Sequence, residues 1–179
     1  MNIITRFLRH SFSIAAVTLS LTALPLTGAA ADIYLELQGI PGESTAEDFK
    51  NAIDVQAFSW GLYNATTTTT IAGKAELQDL AISKAFDSAS PKLFIRAAAG
   101  TVIPKAKLTV VRRTGDAKPM PFMVIELENV IVSSLQLSDS QGSDRPYENV
   151  SLAFTKIKIT HYDEKNNPTS ETWDAAKRK

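Results

Sequence analysis

Apolar and polar residues alternate along much of this chain, as they do in β-strands that bury one face. The first such stretch carries Ile33, Leu35 and Leu37 on one face and ends at the sequence GIPG, residues 39–42. Glycine favours turns and proline lacks an amide donor, so neither continues a β-ladder well. We therefore predict a strand over residues 33–37.

A β-hairpin is predicted in the second half of the chain. Residues 105–113 and 120–139 both alternate, and the turn-forming triplet TGD, residues 114–116, lies between them. The longer strand keeps its large apolar residues on one parity: Ile125, Leu127, Ile131, Leu135 and Leu137. We expect the two strands to pair and to turn this face toward the core.

A third alternating stretch, residues 52–64, changes phase part-way. Ile53 and Val55 share one parity, whereas Phe58 and Trp60 share the other. This pattern predicts a strand that is covered on both faces.

The C-terminal alternating stretch, residues 150–160, changes phase in the same way. Its apolar residues are Val150, Leu152 and Phe154 on one parity, then Ile157 and Ile159 on the other. Either a β-bulge near Thr155 and Lys156 or apolar neighbours on both faces would explain the shift. The second alternative would indicate contact with another chain.

One α-helix is predicted between residues 90 and 100. Ser90 is a good N-cap, Pro91 suits the first helical position, and Gly100 suits the left-handed residue that ends a helix. The apolar stripe of this helix consists of Leu93, Phe94, Ala97 and Ala98. A helix this short needs support, so we expect it to dock on the sheet.

Two segments are less regular. Residues 74–86 lack glycine and proline and carry Leu77, Leu80 and Ala81, which favours a helix over a bulged strand. Residues 43–51 form either a short helix capped by Ser44 or Thr45 or an extended loop, and the sequence favours neither.

Together these elements predict a mainly β fold, a small β-barrel or a sandwich of two sheets with one flanking α-helix. Residues 32–179 have the length of one domain that buries a sufficient core without cross-links. The sequence has no cysteine, which excludes disulfides, thiolate metal sites and a thiol nucleophile. Its 19 basic and 19 acidic residues balance, so composition gives no support to a nucleic-acid or anionic-membrane partner.

The first 31 residues are predicted to be a secretory signal peptide. Arg6 and Arg9 precede a largely apolar run, residues 12–24, and small residues follow it up to Ala31. This run is shorter than the roughly 20 apolar residues that a membrane-spanning helix needs. We expect cleavage between Ala31 and Asp32, which would place the mature chain in the periplasm or outside the cell.

The mature chain offers little catalytic chemistry. His161 is its only histidine, with Asp163 nearby, and no serine-nucleophile, metal or phosphate-binding motif accompanies it. Glu126 and Glu128 lie two residues apart, as paired catalytic carboxylates could. Alternating acids are, however, typical of the solvent-exposed face of a strand. Trp60 suits a ligand platform or, more commonly, a core position. We predict no catalytic residue, no cofactor and no metal site.

Five segments together resemble one family, the hemolysin-coregulated (Hcp) tube proteins of the bacterial type VI secretion system. They are YLELQGIPGEST (34–45), IDVQAFSWG (53–61), ASPKLFIRAAAG (89–100), ELENVIVSSLQ (126–136) and DRPYENVSLAFTKIKITHY (144–162). The adjacent Trp173 and Asp174 also resemble the tail of some members. The shared order and spacing extend the resemblance over nearly the whole of residues 33–174.

The resemblance implies a tight β-barrel that assembles with its copies into a hexameric ring with an open centre. Such rings stack into a tube that a contractile sheath expels, and they can chaperone small effectors in the lumen. The implied partners are further copies of the chain, a spike protein and small effectors. The loop over residues 39–51 resembles the family's ring-contact loop, and the stacking residues that it implies are Glu43, Ser44, Thr45, Glu47 and Asp48.

The predicted leader sets this chain apart, because family tubes assemble in the cytosol and leave it without an N-terminal signal. We interpret the chain as an exported relative, with a mispredicted start or an uncleaved leader as the alternatives. A secreted carbohydrate-binding module or hydrolase that uses Trp60, Tyr63, Glu126 or Glu128 is the rival from another class. A monomeric periplasmic adaptor with the same fold is the third alternative.

Overall fold

The computed structural model describes residues 31–64, 75–112, 119–175 and 177, so the predicted leader lies outside it except for its last residue. The first half contains β1 (Asp32–Leu37), a 3₁₀ turn (Glu47–Phe49), β2 (Ile53–Ser59), β3 (Leu62–Asn64), β4 (Ala75–Leu77) and β5 (Leu80–Ala85). The second half contains α1 (Ser90–Ala99), β6 (Ile103–Arg112), β7 (Met120–Ser138), β8 (Tyr147–Ala153), β9 (Lys156–Tyr162) and β10 (Pro168–Asp174).

Six strands close into an antiparallel barrel. Hydrogen-bonded neighbours follow the order β7-β6-β1-β2-β5-β8, and β8 pairs back with β7 to complete the closure. β9 and β10 extend the sheet outward from β7, whereas β3 and β4 form a separate two-stranded hairpin. The structure confirms the mainly β fold with one flanking helix, and of the two predicted forms it is a closed barrel.

The predicted hairpin is confirmed as β6 and β7, and its turn at residues 114–116 lies outside the described residues. β7 changes phase at Asn129, where φ is 54°, a left-handed value that asparagine tolerates better than most residues. The core-facing side chain before this point is Leu127, and the next one is Val130. The expected single apolar parity is therefore wrong for Ile131 and Leu137, which are exposed, whereas Leu135 packs against the core after a second register shift between Val132 and Ser134.

The phase change in the second alternating stretch comes from a β-bulge. The pairing of β2 with β5 shifts register between Val55 and Ala57. As a result, Ile53 and Val55 before the bulge and Phe58 and Trp60 after it all pack in or against the same core. The expectation of two covered faces is therefore wrong.

The C-terminal stretch forms two strands and not one. β8 ends at Ala153 and β9 begins at Lys156, and both pair antiparallel with β7, so the chain keeps its direction across a break at residues 154–155. Val150 and Leu152 on β8 and Ile157 on β9 belong to one core cluster. The interruption lies where the first alternative placed a β-bulge, although the register with β7 is the same on both sides of it. The second alternative, apolar neighbours on both faces, is wrong, so the stretch gives no independent sign of contact with another chain.

The helix predicted over residues 74–86 is wrong, because β4 and β5 occupy this segment. β5 pairs with β2 on one side and with β8 on the other, and Leu80, Ile82 and Lys84 point inward. Helix propensities differ by only about 0.7 kcal/mol among ordinary residues, so pairing on both edges outweighs them. Residues 43–51 contain the 3₁₀ turn, without a side-chain cap at its start.

The predicted α-helix is confirmed as α1, with one change at its start. Gly100 follows it with φ of 59°, and its amide donates to the carbonyl oxygen of Ala97 at 3.2 Å. The N-cap position is Ala89, and the hydroxyl of Ser90 bonds to Lys84 and Glu148 instead of capping the helix. Leu93 is fully buried against the barrel. Neither α1 nor any other helix within the described ranges has the length and apolarity to cross a bilayer.

The two ends of the barrel carry different structures. At one end, residues 38–52 join β1 to β2 and α1 leads into β6, and we call this the helix end. The backbone amide of Ser88 donates to Glu43 Oε1 at 3.0 Å, which ties this loop to the start of α1. At the other end, β3 and β4 join β2 to β5, and we call this the hairpin end. The seven residues of β2 separate the two ends by about 20 Å.

Candidate functional site: the assembly surfaces

His161 and Asp163 are held in structural contacts. His161 packs edge-on against Phe122, with the ring centroids 5.0 Å apart. Asp163 accepts hydrogen bonds from the side-chain and backbone nitrogens of Asn167, and these bonds hold the pKa of its carboxyl below the usual value. The residues that the structure describes contain no group of three side chains able to hold a metal ion.

Glu126 and Glu128 face the outside of the barrel in cross-strand ion pairs. Lys158 Nζ lies 2.9 Å from Glu126 Oε2, and Lys156 Nζ lies 2.8 Å from Glu128 Oε1. The hydrogen bond in each pair raises the pKa of its lysine. With one further pair on β1 and β6, these residues form what we call the charged wall: Glu36, Lys107, Glu126, Lys158, Glu128 and Lys156.

The structure does not bring together the four residues considered for a carbohydrate or hydrolytic site. Trp60 packs against the interior cluster, whereas Tyr63 is exposed on β3 and donates a hydrogen bond to Glu76 across the hairpin. That bond raises the pKa of the Tyr63 hydroxyl. The shallow groove beside Glu126 and Glu128 is lined by their lysine partners and not by an aromatic side chain.

The loop that carries the predicted stacking residues folds back on itself. The amide of Gly42 donates to the carbonyl oxygen of Asn51 at 2.8 Å. In turn, the amide of Asn51 donates to the carbonyl oxygen of Ser44 at 2.9 Å. The ring of Phe49 stacks on Tyr34 with centroids 4.3 Å apart and planes 5° from parallel. This loop is therefore a folded part of the helix end.

The five predicted stacking residues differ in exposure. Glu43, Thr45, Glu47 and Asp48 are exposed at the helix end, whereas Ser44 is only 4 % exposed. The Ser44 hydroxyl accepts a hydrogen bond from the amide of Ala46 at 3.4 Å. Four of the five side chains could therefore meet another molecule directly, and Ser44 would act by shaping the loop. Their role in stacking stays a prediction.

Gly42 is expected not to tolerate a side chain. A Cβ atom at this position would lie 2.5 Å from the carbonyl oxygen of Ala52 and 2.7 Å from the Cα atom of Ile53. Gly42→Ala should therefore displace the loop and lower the free energy of unfolding by about 1–3 kcal/mol, measured by urea denaturation. Gly61→Ala is the control, because the nearest atoms there belong to the movable side chain of Gln78. An equal loss in both variants would count against this explanation.

A buried ionic cluster joins α1 to the barrel. Lys84 Nζ on β5 lies 2.9 Å from Glu148 Oε2 on β8 and 2.7 Å from Asp87 Oδ1. Ser90 at the start of α1 accepts from Lys84 at 2.9 Å and donates to Glu148 at 2.6 Å. The Lys84 and Glu148 side chains are 0 % and 2 % exposed. The cluster therefore fixes the position of α1 on two strands.

Large apolar side chains are exposed at both ends of the barrel. Leu62 and Tyr63 at the hairpin end are 52 % and 51 % exposed, and Phe94 and Ile95 at the helix end are 59 % and 61 % exposed. The charged wall lies along the strands between these ends. Neighbouring exposed apolar side chains of this kind are candidates for contact with another macromolecule. Other large apolar side chains are exposed along the strands, among them Ile131, Leu137 and Tyr147.

Over the residues that the structure describes, the fold defines the class of this protein as a small closed β-barrel with one docked helix, α1. Residues 34–161 match the family described as type VI secretion system effector, Hcp. The match spans well over half of the chain, and this protein therefore belongs to the Hcp family.

Individual relatives agree with the family match. Protein hcp1 of Pseudomonas aeruginosa is 33% identical over 140 residues, which cover 76% of this chain and 86% of that protein. A solved structure described as a type six secretion system protein superposes with a TM-score of 0.76 at 31% identity, covering 84% of this chain and 99% of the other. For Hcp1 from Salmonella typhimurium the TM-score is 0.73 at 26% identity, with coverage of 84% and 98%. The family resemblance read from the sequence is confirmed.

Proposed function

We propose that this protein is an exported structural member of the Hcp family that assembles with its own copies into hexameric rings. The observation that carries the proposal is the family match over residues 34–161 on a closed barrel of the same fold. The exposed apolar side chains at the barrel ends support self-association in general, because a single copy leaves them in water. The protein acts through contacts and is not an enzyme.

Export follows from the predicted leader. The proposed cleavage between Ala31 and Asp32 falls directly before β1, whose first residue pairs with Val111 on β6. Removal of residues 1–31 would therefore leave every described strand in place. The mature protein would act in the periplasm or outside the cell, without further membrane contact.

The rings are proposed to stack through the helix end. Glu43, Thr45, Glu47 and Asp48 are exposed there and would meet the neighbouring ring, while Ser44 holds the loop in shape. A spike protein and small effectors carried in the lumen are the further partners of this proposal. Neither a nucleic acid nor a cofactor has a part in it.

Electron microscopy of the purified chain from Asp32 onward tests the ring directly. We expect annular particles with sixfold symmetry and an open centre, because a hexamer joined by one repeated contact must close. Particles of the size of one barrel at micromolar concentration would show that only the fold is shared with the family.

A further inference from the structure

We propose that the groove beside α1 binds the carboxyl terminus of another polypeptide whose last residue carries a large apolar side chain. The groove is shallow and lies at the helix end, between α1 and the turn that follows β1. A single copy of the barrel forms it completely, so the inference goes beyond the proposed ring and does not depend on it.

The floor of the groove is apolar. Ile40 from the turn after β1 and Pro91 and Ile95 from α1 line it, and Ile95 is 61 % exposed. The volume of the groove is about 520 Å³, within the range of about 300–1,000 Å³ that is usual for ligand sites. One large side chain of a partner would therefore bury apolar surface here that both molecules otherwise leave in water.

Three hydrogen-bond donors surround this floor. They are the ammonium group of Lys92, the guanidinium group of Arg96 and the hydroxyl of Thr101. The guanidinium fork matches the two oxygens of a carboxylate, and the other two groups can each donate to one of those oxygens. Among the described residues that line the groove, none is acidic. The donor set therefore fits a carboxylate that lies next to an apolar side chain.

Helix stability does not explain the position of Lys92. This residue lies in the first turn of α1, where the positive end of the helix dipole disfavours a cation. Arg96 follows four residues later on the same side of the helix, and like charges at this spacing repel. Within the described part of the chain neither cation forms an ion pair, in contrast to the lysines of the charged wall. An anion bound between Lys92 and Arg96 would relieve both unfavourable interactions.

A free carboxyl terminus fits this groove better than an acidic side chain does. In a terminal residue, the carboxylate and the side chain are attached to the same α-carbon, so one residue reaches both the floor and the donors. An internal aspartate or glutamate would have to supply the carboxylate from a different residue. The basic run over residues 177–179 of this chain is a poor occupant, because its three cations would meet Lys92 and Arg96. The partner is therefore a different protein.

Fluorescence anisotropy of a labelled peptide tests the inference. The probe is the hexapeptide GSGSGL, with fluorescein on its amino group and a free carboxyl terminus, and it is titrated with the chain from Asp32 onward. We expect saturable binding that weakens as salt is added, because the exposed cations are screened. The same peptide with a C-terminal amide should bind about tenfold more weakly, since it loses the charge-assisted hydrogen bonds. A peptide that ends in serine should also bind more weakly, because it leaves the apolar floor unfilled.

Substitutions in the groove show whether the peptide binds there. Arg96→Gln should weaken binding by about tenfold, and Ile95→Ser should weaken it several-fold. Lys156→Gln on the charged wall is the matched control, and it should leave binding unchanged. All three side chains are at least partly exposed, so the barrel should keep its fold, which circular dichroism checks.

Three results would overturn the inference: no saturation up to about 1 mM protein, equal binding of the acid and amide peptides, or no effect of Arg96→Gln and Ile95→Ser. Binding of dodecanoate without binding of the peptide would also overturn it and would assign the groove to a fatty acid. The anisotropy rises whether the peptide binds to a single copy or to a ring. A failure here is therefore distinguishable from a failure of the proposed function.

Discussion

Replacing Lys84 by methionine is expected to lower the free energy of unfolding by about 3–5 kcal/mol. The substitution removes the only cation of the buried cluster and leaves the carboxylates of Glu148 and Asp87 close together without a counter-charge. Breaking one partner of a buried pair costs far more than the intact pair contributes, because the remaining charge cannot be hydrated. Urea denaturation followed by circular dichroism measures the loss, and the midpoint should fall with little change in slope.

An exposed pair provides the control for this prediction. Lys107 lies 3.0 Å from Glu36 in the charged wall, and both side chains are nearly half exposed. Lys107→Met should therefore cost no more than about 1 kcal/mol. The double variant Lys84→Met with Glu148→Leu should recover part of the loss, because it removes one of the two carboxylates that are left without a counter-charge. If Lys84→Met and Lys107→Met cost the same, the cluster does not anchor the fold.

Truncation of Leu93 to alanine is the second large effect, about 2–5 kcal/mol. Leu93 is fully buried between α1 and the barrel, so its removal leaves a cavity at the contact that holds the helix. A ten-residue helix does not persist in water without such support. Hydrogen exchange should accordingly show the amides of α1 opening before those of the barrel strands.

A substitution at Phe94 distinguishes an effect on folding from an effect on assembly. Phe94 follows Leu93 in sequence but is 59 % exposed at the helix end. Phe94→Ala should change the free energy of unfolding by no more than about 0.5 kcal/mol. Under the proposed stacking through the helix end, the same variant should weaken the association of copies, measured by sedimentation velocity. Equal destabilisation by Leu93→Ala and Phe94→Ala would contradict the burial that distinguishes them.

Sequence pattern predicted the fold well wherever one side of a strand faced the core without interruption. The first strand, the long hairpin as far as Leu127, and α1 all follow from periodicity and from residues such as Gly100 that end an element. The errors lie where a local irregularity shifts the phase, at Val55 and Asn129. A bulge has no strong residue signature, so apolar residues on both parities looked like a strand covered on both faces.

The buried cluster was missed although the sequence carries a signal for it. Lys84 shares the parity of Leu80 and Ile82, and Glu148 shares that of Val150. A basic and an acidic residue at core-facing positions of two strands predict a buried pair, since an unpaired charge there would be very costly. The helix assignment of residues 74–86 concealed the first half of this signal.

The stacking residues and the hairpin end lie beyond what sequence pattern predicts. Exposure of Leu62 and Tyr63 depends on the hairpin standing apart from the main sheet, which only the strand pairing reveals. In the same way, burial of Ser44 depends on hydrogen bonds that close its loop against Asn51 and Ala52. Long-range contacts decide which residues of a loop remain available to a partner.

The solution mass of the chain from Asp32 onward tests the central claim, that this protein works by contact with its own copies. Sedimentation equilibrium over a range of micromolar concentrations should give six times the mass of one chain as the smallest stable species. A mass of one chain across the whole range would contradict the claim.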